Sequence, residues 1–366
     1  MINPQKALIL YDVEHTELAR GRKQKTNPSM YRIREIAAQA GLSQATVDRV
    51  LHNRGGVRAS TVREVHEAIA DLDRQRAQAP LAGRTFMVDV VVQAPLRFTA
   101  ALKSALEAEL PALRPAVIRS RFHLFDGPGD LVGALHKVGR SRTQGLILRA
   151  PDAPEIVEAV SRLDVPVVTL VTDLPASKRV AYVGIDDADA GATAAYLVEQ
   201  WLADRAGDVL VVRGRGVFRG EDEREGGFRA EMRRRAPNRR LLEVVDEDDL
   251  ASAVYVRTRD VLAANPSVRA VYSLYAGAGG NAAVVDAFAA AGRKYDVFVA
   301  HDLDDENTAL LCTHRISAVL HHDLRADLRH ACLAVMQAQG ALPGPIRSTP
   351  SAVRVITPFN TPPAEF

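Results

Sequence analysis

The chain has 366 residues, of which 47% are hydrophobic and 25% charged, so the composition is that of a globular protein with two to three domains. No apolar run approaches the roughly 20 residues that cross a bilayer, and acidic residues interrupt the N-terminal stretch where a signal peptide would be apolar. The two cysteines, Cys312 and Cys332, are too few for a disulfide framework or a four-ligand zinc site, which fits a reducing cytoplasm.

Positive charge is concentrated at the front of the chain. Residues 30–84 hold nine arginines against six acidic residues, and residues 1–29 hold five lysines and arginines against three acidic residues. Because the whole chain carries a formal charge of only +2, residues 85–366 are net acidic. This asymmetry predicts a nucleic-acid-facing front segment attached to a domain with a different task.

The first 29 residues end in a polar, basic run that contains a proline and no apolar periodicity. Two interpretations stay open: a flexible basic arm, or an over-extended gene start with translation beginning at Met30. Neither interpretation adds a folded element to the prediction.

Three short helices are predicted over residues 30–76. Apolar residues recur at helical spacing until Gly41 ends the first helix, Ser43 offers its hydroxyl as the cap of the second, and Ser60 can cap the third. Residues 77–85, rich in alanine with a proline and a glycine, form a linker or hinge.

From residue 86 onward, apolar strands alternate with amphipathic helices, which indicates parallel sheets covered on both faces. The ten or so predicted strands exceed one compact sheet, so we predict two doubly wound subdomains, over approximately 86–185 with 321–347 and 186–320 with 348–366. Their ligand cleft should lie at the carboxyl ends of the strands. The strand candidates are 86–92, 116–125, 145–148, 165–171, 181–185, 208–212, 241–245, 270–274, 297–300 and 316–320.

The segment from Arg32 to Asn53, RIREIAAQAGLSQATVDRVLHN, resembles the helix-turn-helix of the LacI/GalR family of transcriptional regulators. The family pattern runs D-V-A-x-x-A-G-V-S-x-x-T-V-S-R-V-L-N. The segment VRASTVREV from Val57 is similar to the start of the family's third helix. The resemblance implies an N-terminal all-α helix-turn-helix domain whose second helix presents its N-terminal residues to the major groove of DNA.

By this resemblance, Gln44, Ala45 and Arg49 read base edges, because glutamine can pair with adenine, arginine with guanine, and an alanine methyl can pack on thymine. A second group is expected to touch phosphate and set the register without reading sequence: Arg32, Thr46, Arg58 and Thr61.

Two positions depart from the family pattern. Asp48 stands where the family usually has serine, and its carboxylate would repel phosphate unless it turned toward Arg49 or a cytosine amino group. Leu81 is the candidate for the leucine with which the family's hinge helix wedges into the minor groove. Pro80, however, would disrupt the interior of such a helix.

Three later motifs resemble the periplasmic-binding-protein-like (type I) sensor domain of the same family, an α/β fold of two doubly wound parallel-sheet subdomains. They are YVGIDD from Tyr182 with Ala190-Gly191, REGGF from Arg224, and VAHD ending at Asp302; the family patterns are V-G-x-D-N-x-x-A-G, R-x-x-G-F and G-F/Y-D-D. The resemblance implies that Arg224 and Asp302 bind vicinal hydroxyls of a sugar or polyol effector.

Three further residues are weaker effector candidates, each with a structural alternative. Asp173 follows a strand and either binds the effector or holds a turn. Phe98 either stacks on the apolar face of a sugar or belongs to the core. Relatives often carry a ligand-binding asparagine where this chain has Ala276, so Asn281 either substitutes for it or caps the following helix.

No catalytic or metal-binding pattern emerges, so neither an enzyme nor a cofactor nor a metal is expected. The stretch Gly277–Gly280 lacks the lysine of a P-loop, Gly214-Arg215-Gly216 lacks the third glycine of a dinucleotide fingerprint, and G-x-S-x-G does not occur. The histidines lack a third partner at metal-ligand spacing.

These patterns predict a sequence-specific DNA-binding regulator of transcription, a repressor, controlled by a small sugar-like or polyol effector. It should bind a palindromic DNA operator as a homodimer, with tetramers left open, in the cytoplasm at the nucleoid. The alternative is a cytoplasmic sugar-binding protein with a vestigial DNA-binding module. An α/β enzyme fused to a DNA-binding domain is the third option, and it lacks a catalytic constellation.

Overall fold

The computed structural model describes residues 31–78, 81, 83–126, 129–247, 250–348 and 350–362. The chain divides into two compact units between Ala79 and Pro80. Each unit has its own hydrophobic core. The expected basic extension, 1–29, lies outside the described residues.

The first unit contains three helices, α1 (Ile33–Ala40), α2 (Gln44–Leu51) and α3 (Ala59–Gln78). α1 ends at Gly41, whose φ of 67° is a left-handed conformation that glycine adopts without a steric penalty. The hydroxyl of Ser43 caps α2 by accepting a hydrogen bond from the Thr46 N–H at 3.1 Å. Both helix boundaries were predicted and are confirmed. The helices pack around a small core of Ile36, Ala37, Val47, Val50, Val65, Ala68 and Ile69.

α3 differs from the prediction at both ends. It begins at Ala59, so Ser60 lies in its first turn and is not its cap. It continues to Gln78, past the predicted boundary at 76, although its apolar periodicity ends at Leu72. The extra turn consists of arginine, glutamine and alanine, which are good helix formers and extend an established helix at little cost.

The second unit contains two sheets, one of five strands in the order β2-β1-β3-β4-β5 and one of six in the order β11-β10-β9-β8-β6-β7. Every described strand pair is parallel except β10 with β11. The strands are β1 (Thr85–Gln93), β2 (Val117–Phe125), β3 (Gly145–Arg149), β4 (Val167–Leu170), β5 (Ala181–Val183), β6 (Asp208–Arg213), β7 (Leu241–Val245), β8 (Val268–Ser273), β9 (Val297–His301), β10 (Ala318–His321) and β11 (Arg354–Ile356).

Helices cover both faces of each sheet, which confirms two doubly wound subdomains. α4 and α12 cover one face of the first sheet, and α5 and α6 cover the other. α7 and α8 cover one face of the second sheet, and α9, α10 and α11 cover the other. The helices are α4 (Leu96–Glu109), α5 (Leu131–Gly139), α6 (Pro154–Ser161), α7 (Asp187–Leu202), α8 (Arg219–Arg235), α9 (Ala251–Ala264), α10 (Gly280–Ala290), α11 (Asp305–Cys312) and α12 (Leu324–Ala338), and a short 3₁₀ turn (Leu110–Leu113) follows α4.

The chain passes between the two sheets three times: after β5, after β10 and after α12. Hydrogen bonds tie these passages together. The Ser351 N–H on the third passage donates to the Gly184 carbonyl on the first at 2.7 Å. His322 Nδ1 on the second lies 2.6 Å from the Asp327 carboxylate, which also accepts from the Ser351 hydroxyl. The carboxyl ends of both sheets therefore border one cleft, which is where the ligand site was predicted.

Candidate functional site

The predicted base-reading residues occupy the exposed side of α2. Gln44, Ala45 and Arg49 are all exposed, and Ala45 and Arg49 are four residues apart on one helical face. Among the residues that the structure describes, none forms a hydrogen bond or ion pair with the Arg49 guanidinium. Its donors are therefore available for a base edge, as the sequence-based expectation requires.

Within the described residues, the Asp48 side chain pairs with two residues other than Arg49. Its carboxylate lies 2.8 Å from Arg54 Nη1 and 3.0 Å from His52 Nδ1, both just beyond the C-terminal end of α2. Arg49 was one of two possible partners of Asp48, and Arg54 takes its place because the chain turns back after α2 and brings Arg54 within reach. A contact of Asp48 with a cytosine amino group stays a prediction. This pairing offsets the negative charge on the recognition helix and leaves Arg49 unengaged.

The four predicted phosphate contacts all lie at helix N-termini. Arg32 precedes α1, Thr46 lies in the first turn of α2, and Arg58 and Thr61 flank the start of α3. Backbone N–H groups and the helix dipole at such positions favour a negatively charged partner. The two arginines are exposed, whereas the Thr46 hydroxyl already lies 2.8 Å from the Ser43 hydroxyl.

Leu81 is only 4% exposed and packs in the core of the second unit together with Phe86. A leucine in this position buries its side chain among its own domain's strands and helices, so it presents no wedge to a minor groove in this structure. Burial in this core provides the physical reason for an apolar residue at this point of the linker.

A cavity lies in the cleft of the second unit, at the carboxyl ends of strands from both sheets. Three of the five predicted effector residues, Arg224, Asp302 and Phe98, line it. Arg149, Thr172, Phe218, Glu221, Tyr275, His321 and His322 also border it, and none of these was predicted.

Arg224 is the most firmly held side chain of the cavity. Its Nε donates to the Asp187 carboxylate at 2.6 Å, and its Nη1 lies 4.0 Å from Asp302 Oδ2. Burial disfavours the charged form, but the two carboxylates outweigh burial and raise the pKa of Arg224, so the guanidinium stays charged. The cavity therefore contains a rigid fork of hydrogen-bond donors.

Two glycines explain how Asp187 and Arg224 meet. A Cβ on Gly191 of α7 would lie 2.0 Å from the Arg224 carbonyl oxygen, and a Cβ on Gly227 of α8 would lie 2.1 Å from the Ala188 carbonyl oxygen. α7 and α8 can approach this closely only because both positions lack a side chain. The motifs at Gly191 and Arg224, which are separate in sequence, thus form one packed helix pair that aligns the ion pair.

Asp302 supplies an acceptor at the end of β9. Its φ of 63° is a conformation that non-glycine residues seldom adopt, and its backbone is fixed by the Asn307 side chain, which donates to the Asp302 carbonyl at 2.7 Å. Desolvation raises the pKa of the Asp302 carboxyl, but Arg224 and the neighbouring His322, His301 and His321 together outweigh it and lower the pKa to about 2. Half of the side chain remains exposed, so a charged carboxylate faces the cavity.

Arg149 and Glu221 are the charged groups that sequence reasoning missed. The Arg149 guanidinium lies 4.0 Å from the ring centre of Phe218 and 5.1 Å from that of Phe98. Burial raises the pKa of Glu221 to about 7, although Arg149 and Arg224 partly oppose this rise. Both residues had a positional signal, since Arg149 ends an apolar strand and Glu221 precedes Arg224 by three residues on α8.

The remaining two effector candidates do not line this cavity. Asp173 holds a turn: its carboxylate pairs with Arg179 and accepts hydrogen bonds from the Thr169 hydroxyl at 2.7 Å and the Leu174 N–H at 2.8 Å. Its lone pairs are used by the turn, so the structural alternative fits better than the effector contact. Asn281 lies in α10, whose cap is Gly279, and borders a smaller adjoining pocket that also includes Asp302.

Two family models match the chain. The model of bacterial regulatory proteins of the lacI family matches residues 32–75, and that of the periplasmic binding protein domain matches residues 138–339. The chain belongs to the LacI family of bacterial regulatory proteins. No curated protein sequence matches it.

Solved structures similar to this LacI-family chain share its fold. A protein described as a LacI transcriptional regulator from Bacteroides fragilis has a TM-score of 0.67 and 14% identity, covering 76% of this chain and 98% of its own. GanP, a glucose-galactose binding protein from Geobacillus stearothermophilus, has a TM-score of 0.66 and 19% identity, covering 76% and 99%. An ABC transporter solute binding protein from Burkholderia graminis, in complex with D-arabinose, has a TM-score of 0.66 and 18% identity, covering 77% and 98%.

The matches of this LacI-family regulator are thus to regulatory and ligand-binding proteins. Within the described part of the chain, no helix is long and apolar enough to span a membrane. No cluster of three or more His, Cys, Asp and Glu side chains in the same residues is arranged to hold a metal ion.

Proposed function

We propose that this LacI-family protein is a transcriptional repressor that binds a palindromic operator as a homodimer and responds to a small sugar or polyol. The observation that supports the proposal most strongly is the buried Arg224–Asp187 pair, whose arginine lines the cleft cavity together with Asp302. The same chain also contains a helix-turn-helix. Domain boundaries near 30–76, 77–85 and 86–366 are part of this proposal.

The chemistry of the cavity suits a polyhydroxylated molecule. Arg224 offers donors and Asp302 a charged acceptor, and such a pair can bind two neighbouring hydroxyl groups. Phe98 adds an apolar surface. The cavity measures about 140 Å³. A single water molecule needs only roughly 10–15 Å³, so the cavity is large enough for a small polar molecule.

The similar solved structures support a sugar rather than another polar ligand, since their descriptions name glucose and galactose or D-arabinose. Shared fold at below 20% identity leaves the particular sugar open to this chain's own residues. Arg149 and Glu221 are the residues we expect to discriminate among sugars, because they bring charge to the cavity wall.

The helix-turn-helix supports an operator with two half-sites. One recognition helix offers only a few base contacts, here from Gln44, Ala45 and Arg49, and two copies are needed for useful specificity. We propose that Arg32, Thr46, Arg58 and Thr61 hold the phosphate backbone. Such a repressor works in the cytoplasm, at the nucleoid, and turns over no substrate.

Selection of bound sequences from a random duplex library by the purified full chain tests the proposal. We expect an enriched inverted repeat, with affinity that falls steeply as salt rises. Salt-sensitive binding with no enriched sequence would instead favour the alternative, a sugar-binding protein with a vestigial DNA-binding module.

A further inference from the structure

Three consecutive residues at the start of α8 reach across the cleft to the ends of two strands of the opposite subdomain. The Phe218 ring lies under the Arg149 guanidinium, with 4.0 Å between the guanidinium carbon and the ring centre. Arg219 Nη1 lies 3.4 Å from the Asp152 carboxylate. The Gly220 N–H donates to the Thr172 hydroxyl at 3.2 Å. Arg149 ends β3, Asp152 follows β3, and Thr172 follows β4 of the first sheet, whereas α8 covers the second sheet.

The central contact is a sandwich. Arg149 lies between Phe218 of one subdomain and Phe98 of the other, the second ring centre being 5.1 Å away. Its Nη1 donates to the Gln93 carbonyl, which fixes the plane of the guanidinium between the rings. A cation between two aromatic faces is attracted to both, and the attraction is stronger where water is excluded. The protein's own side chain thus occupies the space between the two rings.

The flanking contacts reinforce this position. Arg219 also pairs with Glu223 one turn later at 2.7 Å, which holds its guanidinium at the edge of the cleft. Thr172 is only 2% exposed, so its hydroxyl has few partners other than the Gly220 N–H. Opening the cleft separates all three contacts at once, because they lie on one short segment.

We propose that Phe218, Arg219 and Gly220 form a latch that holds the two subdomains closed through the protein's own side chains. For the regulator, a consequence follows that rests on the proposed function: an effector ring that stacks on Phe98 has to displace Arg149 from the sandwich. The latch therefore sets the fraction of open molecules that can admit the effector. Its effect on the cleft can be measured in the absence of both effector and DNA.

The distance between the subdomains measures the latch directly. Cys312 is exposed on the second subdomain, Leu124→Cys places a second thiol on the exposed edge of β2 in the first, and Cys332 is buried. Spin labels on the two exposed thiols give the distance distribution by pulsed electron paramagnetic resonance. This assay uses the full chain and adds neither sugar nor DNA.

Phe218→Leu keeps an apolar side chain but removes the aromatic face. We expect it to lower the ratio of closed to open molecules by roughly 2- to 30-fold, which is the range of a cation–π contact. Arg219→Asp removes an exposed ion pair and adds repulsion with Asp152, so we expect a smaller loss of about fivefold. The longer-distance population should rise in both. The matched controls, Phe359→Leu and Arg234→Gln, alter a highly exposed ring and an ion pair within α8, and should leave the distribution unchanged.

A charge swap separates a latch from simple destabilisation. Arg219→Asp combined with Asp152→Arg restores an opposite-charge pair across the cleft, so the closed population should recover. Circular dichroism confirms that each variant is folded before labelling. Distance distributions of Phe218→Leu and Arg219→Asp that coincide with the parent's would overturn the proposal, and so would failure of the charge swap to restore closure.

Discussion

The recognition helix and the cleft cavity hold their functional side chains in opposite ways. On α2, Arg49 is exposed and unengaged within the described structure, and the acidic residue that precedes it, Asp48, pairs with Arg54 instead. In the cavity, Arg224 is only 6% exposed and already bound to Asp187 at 2.6 Å. The Arg49 guanidinium is therefore available for an external partner, whereas the Arg224 guanidinium is held in position by Asp187.

The difference follows from the two ligands. DNA supplies a rigid surface of fixed donors and acceptors, so a short helix with unpaired side chains is enough to read it. A small polar molecule offers little area, so the protein must hold its own groups in place beforehand, by contacts between residues far apart in sequence. Substitutions at the cavity contacts should therefore destabilise the fold, whereas substitutions on the recognition helix should not.

The largest expected effect comes from breaking the buried ion pair. Asp187→Ala leaves the Arg224 guanidinium buried with only the more distant Asp302, which should lower the free energy of unfolding by about 3–5 kcal/mol. The neighbouring Asp186 is exposed and caps α7, so Asp186→Ala should cost only about 1 kcal/mol. Urea denaturation measures both. Equal losses for the two variants would mean that the buried pair contributes no more to stability than an exposed helix cap.

The next effect tests the close approach of α7 and α8. Gly227→Ala places a methyl group 2.1 Å from the Ala188 carbonyl oxygen, so the helices must separate. We expect a loss of roughly 1–3 kcal/mol, as for other overpacked sites. Gly226→Ala is the matched control, because its methyl group meets nothing within 4 Å. It should stabilise α8 by roughly 0.5–1 kcal/mol. Thermal unfolding that ranks the two variants in the reverse order would contradict this packing.

On the recognition helix, substitutions should change DNA binding and leave stability nearly unchanged. Arg49→Ala is expected to cost roughly 1–3 kcal/mol on the selected operator and to relax the preference at one base position. Arg58→Ala should weaken operator and random DNA alike and reduce the salt slope by about 1. Fluorescence anisotropy at several salt concentrations separates the two patterns. A uniform loss for Arg49→Ala would assign it to phosphate instead of bases.

The last effect is seen only when pH changes and concerns Glu221, whose pKa is raised by burial from its ordinary value of 4.5 to about 7. Between these two values the folded protein holds a proton that the unfolded chain has released, so this group makes stability fall as pH rises through that window. Glu221→Gln stays neutral. Its melting temperature should match the parent's at pH 5 and exceed it at pH 8, whereas the exposed control Glu158→Gln should show no such trend. A Glu221→Gln difference that does not vary with pH would rule out a raised pKa.

Most of the fold and the bounds of the recognition helix could be predicted from the sequence. Apolar periodicity and helix caps are local, so the first two helices and the main strands were predicted from neighbouring residues alone. β11 was missed because it has three residues and is defined only by its pairing with β10. The last turn of α3 was missed because helix propensity extends it beyond the apolar stripe.

The cavity was predicted only in part, for a related reason. Arg224 and Asp302 stand in motifs, whereas Arg149 depends on two phenylalanines more than 50 residues to either side of it in the chain. Asp173 follows a strand, as a ligand-binding residue would, but its carboxylate pairs with Arg179, six residues later in the chain. A strand-end rule identifies candidates, and only the folded arrangement shows which of them are already satisfied.

The most direct test of the account is whether the cavity controls DNA binding. With the selected operator in hand, we would measure its affinity while titrating a panel of pentoses, hexoses and polyols, for the parent, for Asp302→Asn and for the exposed control Asp305→Asn. The account predicts that at least one sugar changes operator affinity for the parent and the control. Asp302→Asn should bind the operator as the parent does and lose the response. A sugar response that survives Asp302→Asn unchanged would contradict the account.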